Sequence, residues 1–259
     1  MSSTNEMPAL FIGHGSPMNI IQDNEFTNDL KKLGNSLPTP EAILVISAHW
    51  LTNGTYVTCE AQPRQIYDYY GFPKELYEFK YHPQGKPELA KQITQLGTDK
   101  EIQCSTEWGI DHAAYMVLGH IFPDANIPTL ELSLDYYKPP EFHYDLARIL
   151  NPLRKQGVLI IGSGNMIHTF RFIDYNQYVK PYQWALDFDL TLKNDILKRN
   201  HEKLIHYEGY PLSSKAFQTN EHYLPMLYIL SLQEKDEAFK FIHEGFQHGS
   251  ISHRSFQIG

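Results

Sequence analysis

The chain has 259 residues and a formal net charge of −8, from 22 Lys and Arg against 30 Asp and Glu. This acidic balance disfavours nucleic acid as a partner, because such a surface needs clustered basic residues. No apolar run reaches the length of about 18 residues that a transmembrane helix requires, so we expect no membrane association. The polar N-terminal residues do not resemble a signal peptide. We therefore expect a cytoplasmic protein.

The chain contains two cysteines, Cys59 and Cys104. A disulfide framework and a cysteine-based zinc site both need more thiols than this. We interpret the two cysteines as small buried apolar residues of a protein in a reducing compartment.

Short apolar runs that end at Gly, Ser or Asn predict buried strands, with a weaker candidate at 55–60. The clear runs are 8–12, 42–48, 127–134 and 157–162. Helical patterns lie between and after them, at 24–33, 86–96, 113–121, 140–155, 181–206 and 221–233. Strands that alternate with helices are typical of an α/β fold. We predict one domain over 1–259, with a central, mainly parallel or mixed sheet flanked by helices.

Three of the 13 histidines follow the clearest predicted strands. His14 comes after 8–12, His49 directly follows 42–48, and His168 follows 157–162. Parallel sheets bind ligands outside the carboxyl ends of their strands, where these side chains would meet. Neutral imidazole is a common metal ligand. The pattern indicates a shared metal or catalytic site, and the alternative is three separate hydrogen-bonded loop residues.

Two further histidines lie at predicted helix starts. His112, after Asp111, is a candidate general acid or base near neutral pH, although Asp111 alone can be explained as a helix cap. His222 follows Glu221 at the start of a helical pattern. The chain lacks the Gly-x-Ser-x-Gly, Gly-x-Gly-x-x-Gly, P-loop and His-Glu-x-x-His motifs, which disfavours serine hydrolases, nucleotide-binding proteins and thermolysin-type proteases.

An ordered set of motifs now identifies a resemblance that spans the chain from Leu10 to about Phe256. In order, the motifs are Gly13-His14-Gly15-Ser16-Pro17-Met18, Ile46-Ser47-Ala48-His49-Trp50, Tyr70-Gly71-Phe72-Pro73, Gly109-Ile110-Asp111-His112, Gly162-Ser163-Gly164-Asn165 through His168, and Glu221-His222. The set resembles the class III (LigB-like) extradiol ring-cleavage dioxygenases, and within them the 4,5-DOPA dioxygenase group.

The resemblance implies a non-haem metal enzyme that uses O₂ to open a catechol ring beside its hydroxyls. It implies that His14, His49 and His222 are metal ligands, that His168 lies at or very near the metal, and that His112 is the acid/base. One Zn²⁺ or Fe²⁺ per chain is expected, since an all-nitrogen site suits both. Glu221 is a possible carboxylate ligand, but we favour an exposed glutamate at the helix start.

The implied substrate is a DOPA-like catechol, and the implied product is a muconic semialdehyde. Tyr67, Tyr69, Tyr70 and Phe72 can stack against a flat aromatic ring, and we assign substrate contacts to Tyr70, Phe72 and Ser16. We expect a monomer or small homo-oligomer.

The chain departs from the family pattern at two positions. Ala113 stands where the resembling proteins have Gly, which changes the shape of the pocket beside His112. His253 stands where they have Met, and it adds a titratable group if the C-terminal tail borders the site. Two alternatives remain, a zinc-dependent hydrolase that uses the same histidine cluster and a non-catalytic, metal-bearing protein that binds an aromatic ligand.

Overall fold

The computed structural model describes residues 6–97 and 102–259. Its strands are β1 (Ala9–Gly13), β2 (Ala42–Thr52), β3 (Thr55–Thr58), β4 (Ile102–Ser105), β5 (Thr129–Asp135), β6 (Val158–Gly164), β7 (Phe239–His243), β8 (Phe246–Gln247), β9 (Ile251–Ser252) and β10 (Ser255–Ile258). Its helices are α1 (Glu25–Ser36), α2 (Lys74–Glu78), α3 (Pro87–Leu96), α4 (His112–Ile121), α5 (Pro140–Arg148), α6 (Asn151–Arg154), α7 (Gln183–Leu197), α8 (His201–Ile205), α9 (Ser213–Ala216) and α10 (Leu224–Ser231).

In the part of the chain that the structure describes, eight strands form one mixed sheet in the order β4-β3-β5-β2-β6-β1-β10-β7. The central pairs β5–β2, β2–β6 and β6–β1 are parallel, so their carboxyl ends lie at the same edge. The pairs β1–β10 and β10–β7 are antiparallel. The predicted α/β fold with a mainly parallel or mixed sheet flanked by helices is confirmed.

The central strands are buried on both faces because helices cover both sides of the sheet. Alternate residues of β1 divide between two apolar clusters, with Phe11 in one and Leu10 in the other. Helices α3, α5, α7 and α10 pack on the Phe11 side, and α1 and α4 pack on the Leu10 side. This two-sided burial explains why these strands read as continuous apolar runs.

Several predicted element boundaries differ from the structure for local reasons. The helix predicted over 140–155 is divided into α5 and α6, with Pro152 near the start of α6. Pro152 has no N–H that could donate to the carbonyl of Arg148 four residues earlier, so α5 does not continue through it. The helix predicted over 181–206 is interrupted between α7 and α8, where Arg199 has a φ of 55°.

The C-terminal strands β7 and β10 were not predicted from the sequence. Both are short, and β7 is only partly buried, so its apolar residues form no long run. They extend the sheet beyond β1 because β10 pairs antiparallel with that strand. As a result, the segment that carries His253 lies beside the loop that carries His14.

The interpretation of Cys59 and Cys104 as free, buried residues is wrong. The two cysteines form a disulfide, with their Cα atoms 5.8 Å apart, and Cys104 is exposed. Strands β3 and β4 are parallel neighbours, so they bring together residues that lie 45 positions apart in the chain. This pairing depends on the order of strands in the sheet, which two cysteines in a sequence do not reveal.

Among residues 6–97 and 102–259, the structure contains no helix whose length and apolar character would let it cross a membrane.

Candidate metal centre

The sheet places His14 and His49 at the carboxyl edge of its parallel strands. His14 follows β1, and its backbone N–H donates to the carbonyl of Gly164 at 2.9 Å, which continues the β1–β6 pairing by one residue. His49 lies in β2 where the pairing with β5 shifts register, between Ile46 and Leu51. The shift releases this part of β2 from regular pairing and so brings His49 to the edge.

His222 reaches the same edge from the turn before α10. Its carbonyl accepts a hydrogen bond from the backbone N–H of Asn165 at 2.8 Å, which ties this turn to the end of β6. The approach is so close that a Cβ at Gly164 would lie 2.1 Å from the carbonyl oxygen of His222. Glycine is therefore required at position 164 for His222 to reach the site.

His112 is the first residue of α4, and Asp111 caps this helix as anticipated. The Asp111 carboxylate accepts hydrogen bonds from the backbone N–H groups of Ala113 and Ala114 at 2.9 and 3.3 Å. Its second oxygen accepts from the Ser47 hydroxyl at 2.6 Å. The cap therefore also fastens the start of α4 to β2, two residues before His49.

The ring of His49 contacts three other imidazole rings at this edge. The ring centroids of His49 lie 5.0 Å from His14, 4.2 Å from His112 and 5.1 Å from His222. The Nε2 atoms of His49 and His222 are 3.2 Å apart. We call His14, His49, His112 and His222 the histidine cluster.

His168 lies beside the histidine cluster, stacked on His222 with a centroid distance of 3.6 Å and an interplanar angle of 5°. Potential ligand atoms form two groups in the described residues, His14 with His49 and His112, and His168 with Glu221 and His222. The structure thus brings together the five histidines that the sequence assigned to the metal site or to acid/base catalysis, and it places His112 as near to His14 and His49 as a ligand would be.

In each histidine of the cluster, Nδ1 is held by a hydrogen-bond acceptor. Ser163 accepts from His14 at 3.0 Å, because its own hydroxyl donates to the carbonyl of Ala113. Asp68 accepts from His49 and His112, at 2.5 and 2.8 Å. Glu221 accepts from His222 at 3.0 Å. A proton on Nδ1 leaves the lone pair on Nε2, which is the arrangement found in metal-bound histidines. The donor set therefore fits a divalent metal ion.

Burial keeps most of these imidazoles in the neutral form that binds metal. It lowers the pKa of His222 to about 4, and it lowers the pKa values of His14, His112 and His168, with nearby histidines adding to the effect. His49 differs. Burial also disfavours its charged form, but the hydrogen bond to Asp68 and the charge of Asp111 together raise its pKa.

The two carboxylates that contact the cluster are ionised. Burial alone would raise their pKa values, but hydrogen bonds from His112 and His49 lower the pKa of Asp68, and the bond from His222 lowers that of Glu221 to about 2. The side chain of Glu221 is only 16% exposed, and α10 begins three residues later, at Leu224. Our interpretation of Glu221 as an exposed residue at a helix start is therefore wrong.

The residues assigned to substrate contact are placed differently from one another. Tyr70 is 91% exposed, whereas Phe72 is partly buried with its ring 5.4 Å from that of Tyr69. Tyr69 in turn packs edge to face against His112 at 5.3 Å. Ser16 caps a short 3₁₀ turn by accepting from the backbone N–H of Met18 at 3.3 Å. Tyr69 is therefore the aromatic residue of this loop that contacts the histidine cluster.

His253 is buried behind the loop that carries His14. Its ring lies against Phe26 at 4.5 Å, and a Cβ at Gly15 would lie 2.1 Å from its Cε1 atom. The C-terminal segment therefore adjoins the site, because His253 packs against Gly13 and Gly15 on either side of His14. In the described structure, the ring of His253 does not contact that of His14.

The sequence does not single out two polar residues that hold the cluster, Asp68 and Ser163. Ser163 belongs to a glycine-rich motif, and Asp68 lies two residues before the Tyr70-Gly71-Phe72-Pro73 motif. A single acidic residue in an otherwise aromatic loop was the available signal for Asp68. Its partners, at positions 49 and 112, are too distant in the chain to be inferred.

Comparisons with known proteins agree with this geometry. Residues 8–259 match the family described as the catalytic LigB subunit of aromatic ring-opening dioxygenase. The chain is 40% identical to a 4,5-DOPA dioxygenase extradiol of Escherichia coli K12, over 100% of this chain and 97% of that protein. It is 33% identical to a 4,5-DOPA dioxygenase extradiol of Beta vulgaris, over 99% and 98% of the two chains.

A solved structure is also similar over nearly the full length. The crystal structure of an uncharacterized protein from Escherichia coli K12 superposes with a TM-score of 0.84 at 37% sequence identity. The match covers 98% of this chain and 100% of that chain.

Proposed function

Because the chain belongs to the LigB family of extradiol aromatic ring-opening dioxygenases, we propose that it opens the ring of a DOPA-like catechol at the histidine cluster. Family membership makes it an oxidoreductase, which favours ring cleavage over the hydrolase and non-catalytic alternatives. The observation that carries the proposal is the cluster itself, with four imidazoles whose Nδ1 atoms are all held by acceptors. The catalytic domain would comprise residues 1–259.

We assign metal binding to His14, His49 and His222, with His168 beside them. A bound Fe²⁺ or Zn²⁺ would be held by nitrogen ligands, which suit both ions. When bound, such an ion supplies neighbouring positions for the catechol oxygens and O₂ and a path for electron density between them. Glu221 supports this role by holding Nδ1 of His222, so that Nε2 faces the other ligands.

His112 is assigned the proton transfers. Burial lowers its pKa, so it is neutral near pH 7 and its Nε2 atom can accept a proton. Its Nδ1 atom already donates to Asp68, which leaves Nε2 as the nitrogen that can accept a proton. A catechol hydroxyl placed there would lose its proton to His112. The same nitrogen can return the proton as the ring opens.

Aromatic residues provide the surface against which a flat substrate would lie. Tyr69 packs on His112, and Phe72 packs on Tyr69, so both lie on one side of the cluster. The Tyr69 hydroxyl donates to the carbonyl of Leu76 and accepts from Tyr115, which fixes its ring. We propose that Phe72, Ser16 and Tyr70 contact the substrate.

The relatives suggest the substrate class, since those cited above are named for 4,5-DOPA cleavage. We propose that O₂ adds to a catechol beside its diol and that both atoms enter a muconic semialdehyde. With DOPA, the open-chain product would carry an amine and an aldehyde, which can condense to a coloured ring.

Anaerobic loading with Fe²⁺, followed by air and a panel of catechols, tests the proposal. We expect O₂ uptake and a yellow open-chain product that require both metal and catechol. A parallel sample loaded with Zn²⁺ and given amide and ester substrates tests the hydrolase alternative. Hydrolysis that needs no O₂, with no catechol turnover under either metal, would overturn the assignment.

A further inference from the structure

We infer that Asp68 is a positioning residue that orients His49 and His112 together, so that one carboxylate sets both the metal-binding and the proton-accepting nitrogen. This inference rests on the proposed function, which gives His49 and His112 their separate roles. The contact itself stands on the geometry. One oxygen of Asp68 accepts from His49 Nδ1 at 2.5 Å, and the other accepts from His112 Nδ1 at 2.8 Å.

The chemistry of the carboxylate determines where the imidazole protons lie. An ionised carboxylate can only accept hydrogen bonds, so both Nδ1 atoms must donate to it. Each imidazole then keeps its lone pair on Nε2, and Nε2 of His49 lies 3.2 Å from Nε2 of His222. Acceptors of this kind fix the tautomer and the ring angle of metal-binding histidines. Asp68 therefore imposes the productive tautomer on two histidines at once.

The backbone around Asp68 is held against the segment that leads into His112. The N–H of Ile66 donates to the carbonyl of Ile110, and the N–H of Ile110 donates to the carbonyl of Arg64, both at 2.8 Å. Asp68 also accepts from the backbone N–H of His112 at 3.1 Å. These contacts fix the position of the Asp68 carboxylate relative to the first turn of α4. The carboxylate can therefore hold the rings of His49 and His112 in fixed orientations.

Asp68 differs in this respect from the other acceptors of the cluster. Among the described residues, Ser163 accepts a ring hydrogen bond from His14 only, and Glu221 accepts one from His222 only. Asp68 joins a predicted ligand to the predicted acid/base, whose ring centroids are 4.2 Å apart. Loss of Asp68 should thus change metal binding and proton transfer together. Loss of Glu221 should change metal binding through His222 and leave proton transfer by His112 unaffected.

The Asp68→Asn variant tests the inference, because it keeps the size of the side chain but replaces one acceptor oxygen by a donor. The amide can accept from only one of the two Nδ1–H groups, so one ring must turn or change tautomer. We expect metal affinity to fall by about 10–100-fold, as is typical when such a partner is lost. We also expect kcat to fall by more than KM rises, since substrate makes no contact with Asp68 in this account.

Metal affinity is measured by competition with a chelator, and the visible spectrum of the Co²⁺-loaded protein reports the ligand geometry without any turnover. Asp29→Asn is the matched control. Its carboxylate also accepts from a histidine Nδ1, that of His243 at 2.9 Å, but this pair lies outside the histidine cluster. We expect the control to keep wild-type metal affinity, Co²⁺ spectrum and kcat.

Wild-type metal affinity and Co²⁺ spectrum in Asp68→Asn would overturn the inference, as would a loss of activity due to KM alone. If Asp68→Asn does not fold, Asp68→Ser provides the same comparison with a smaller side chain that has one oxygen where the carboxylate has two. The metal measurements do not depend on ring cleavage. If the wild-type protein cleaved no catechol, the proposed function would fail while the effect of Asp68 on the metal site could still be measured.

Discussion

The Nε2 atoms of His49 and His222 lie 3.2 Å apart, although the residues are separated by 173 positions in the chain. Each ring donates its Nδ1 proton elsewhere, so the two Nε2 lone pairs face each other. Two ligands of one ion at about 2.1 Å, at right or tetrahedral angles, are about 3.0–3.4 Å apart. The separation thus matches that of two ligands of a common metal ion.

Metal removal should therefore destabilise the protein. We expect a chelator to lower Tm, and Zn²⁺ or Fe²⁺ at about 100 times Kd to restore about 3 kcal/mol of unfolding free energy. His14→Ala and His49→Ala should lose bound metal by elemental analysis, whereas His82→Ala, at an exposed position, should keep it. Unchanged metal stoichiometry in His14→Ala or His49→Ala would refute the assignment of these ligands.

Replacement of His112 separates proton transfer from metal binding. We expect His112→Ala to retain metal and to lose turnover by about 10²–10⁴-fold, as for removal of a general acid/base. Because His112 lies within ligand distance of His14 and His49, metal content must be measured on the same sample. Near-full ring cleavage would show that His112 is not the acid/base, and loss of metal would show that it is a ligand instead.

The disulfide between Cys59 and Cys104 should stabilise the edge of the sheet. It joins the residue that follows β3 to β4 and restricts the unfolded chain over 45 positions. We expect Cys104→Ser to lower the free energy of unfolding by about 2–4 kcal/mol, measured by denaturant titration. A reductant should lower the stability of the wild-type protein to a similar extent and leave Cys104→Ser unchanged. Equal effects of the reductant on both proteins would contradict this account.

His253 should make the metal-free protein less stable in acid. Burial lowers its pKa to about 3, and neither ring nitrogen has a hydrogen-bond partner in the described structure. Below pH 6.5 the unfolded chain therefore binds a proton that the folded chain does not, so stability falls as pH falls from about 6.5 towards 3.

The His253→Met variant should remove this dependence. The difference in unfolding free energy between His253→Met and the wild-type protein should favour the variant by about 2 kcal/mol more at pH 5 than at pH 8. Thermal unfolding in the presence of a chelator measures this difference. His82→Met, at an exposed position, is the control. Its difference in unfolding free energy from the wild-type protein should be the same at pH 5 and pH 8. The same difference at both pH values would mean that the ring of His253 takes up protons as readily in the folded state.

The sequence was sufficient to predict the sheet edge and the histidines that it carries. Apolar runs locate β1, β2 and β6, and the common direction of parallel strands then brings His14 and His49 together. Asp68 could not be placed in this way. It lies in a loop without periodicity, and its contacts depend on how that loop pairs with the residues before α4.

Other features depend on contacts between distant segments. The burial of Glu221 follows from the turn that holds His222 against β6, and the disulfide follows from the adjacency of β3 and β4. Neither relationship leaves a local pattern in the sequence. The resemblance to a family supplied the remaining site residues, because His112 and His222 alone were compatible with ordinary positions at helix starts.

The fate of isotopically labelled O₂ during turnover of a catechol by the Fe²⁺-loaded protein tests ring cleavage at the histidine cluster. We expect both labelled oxygen atoms to appear in one open-chain product, and we expect His49→Ala to form none of it. Mass spectrometry of a trapped product would measure this. Product that carries no label, or an equal yield from His49→Ala, would contradict ring cleavage by O₂ at the histidine cluster.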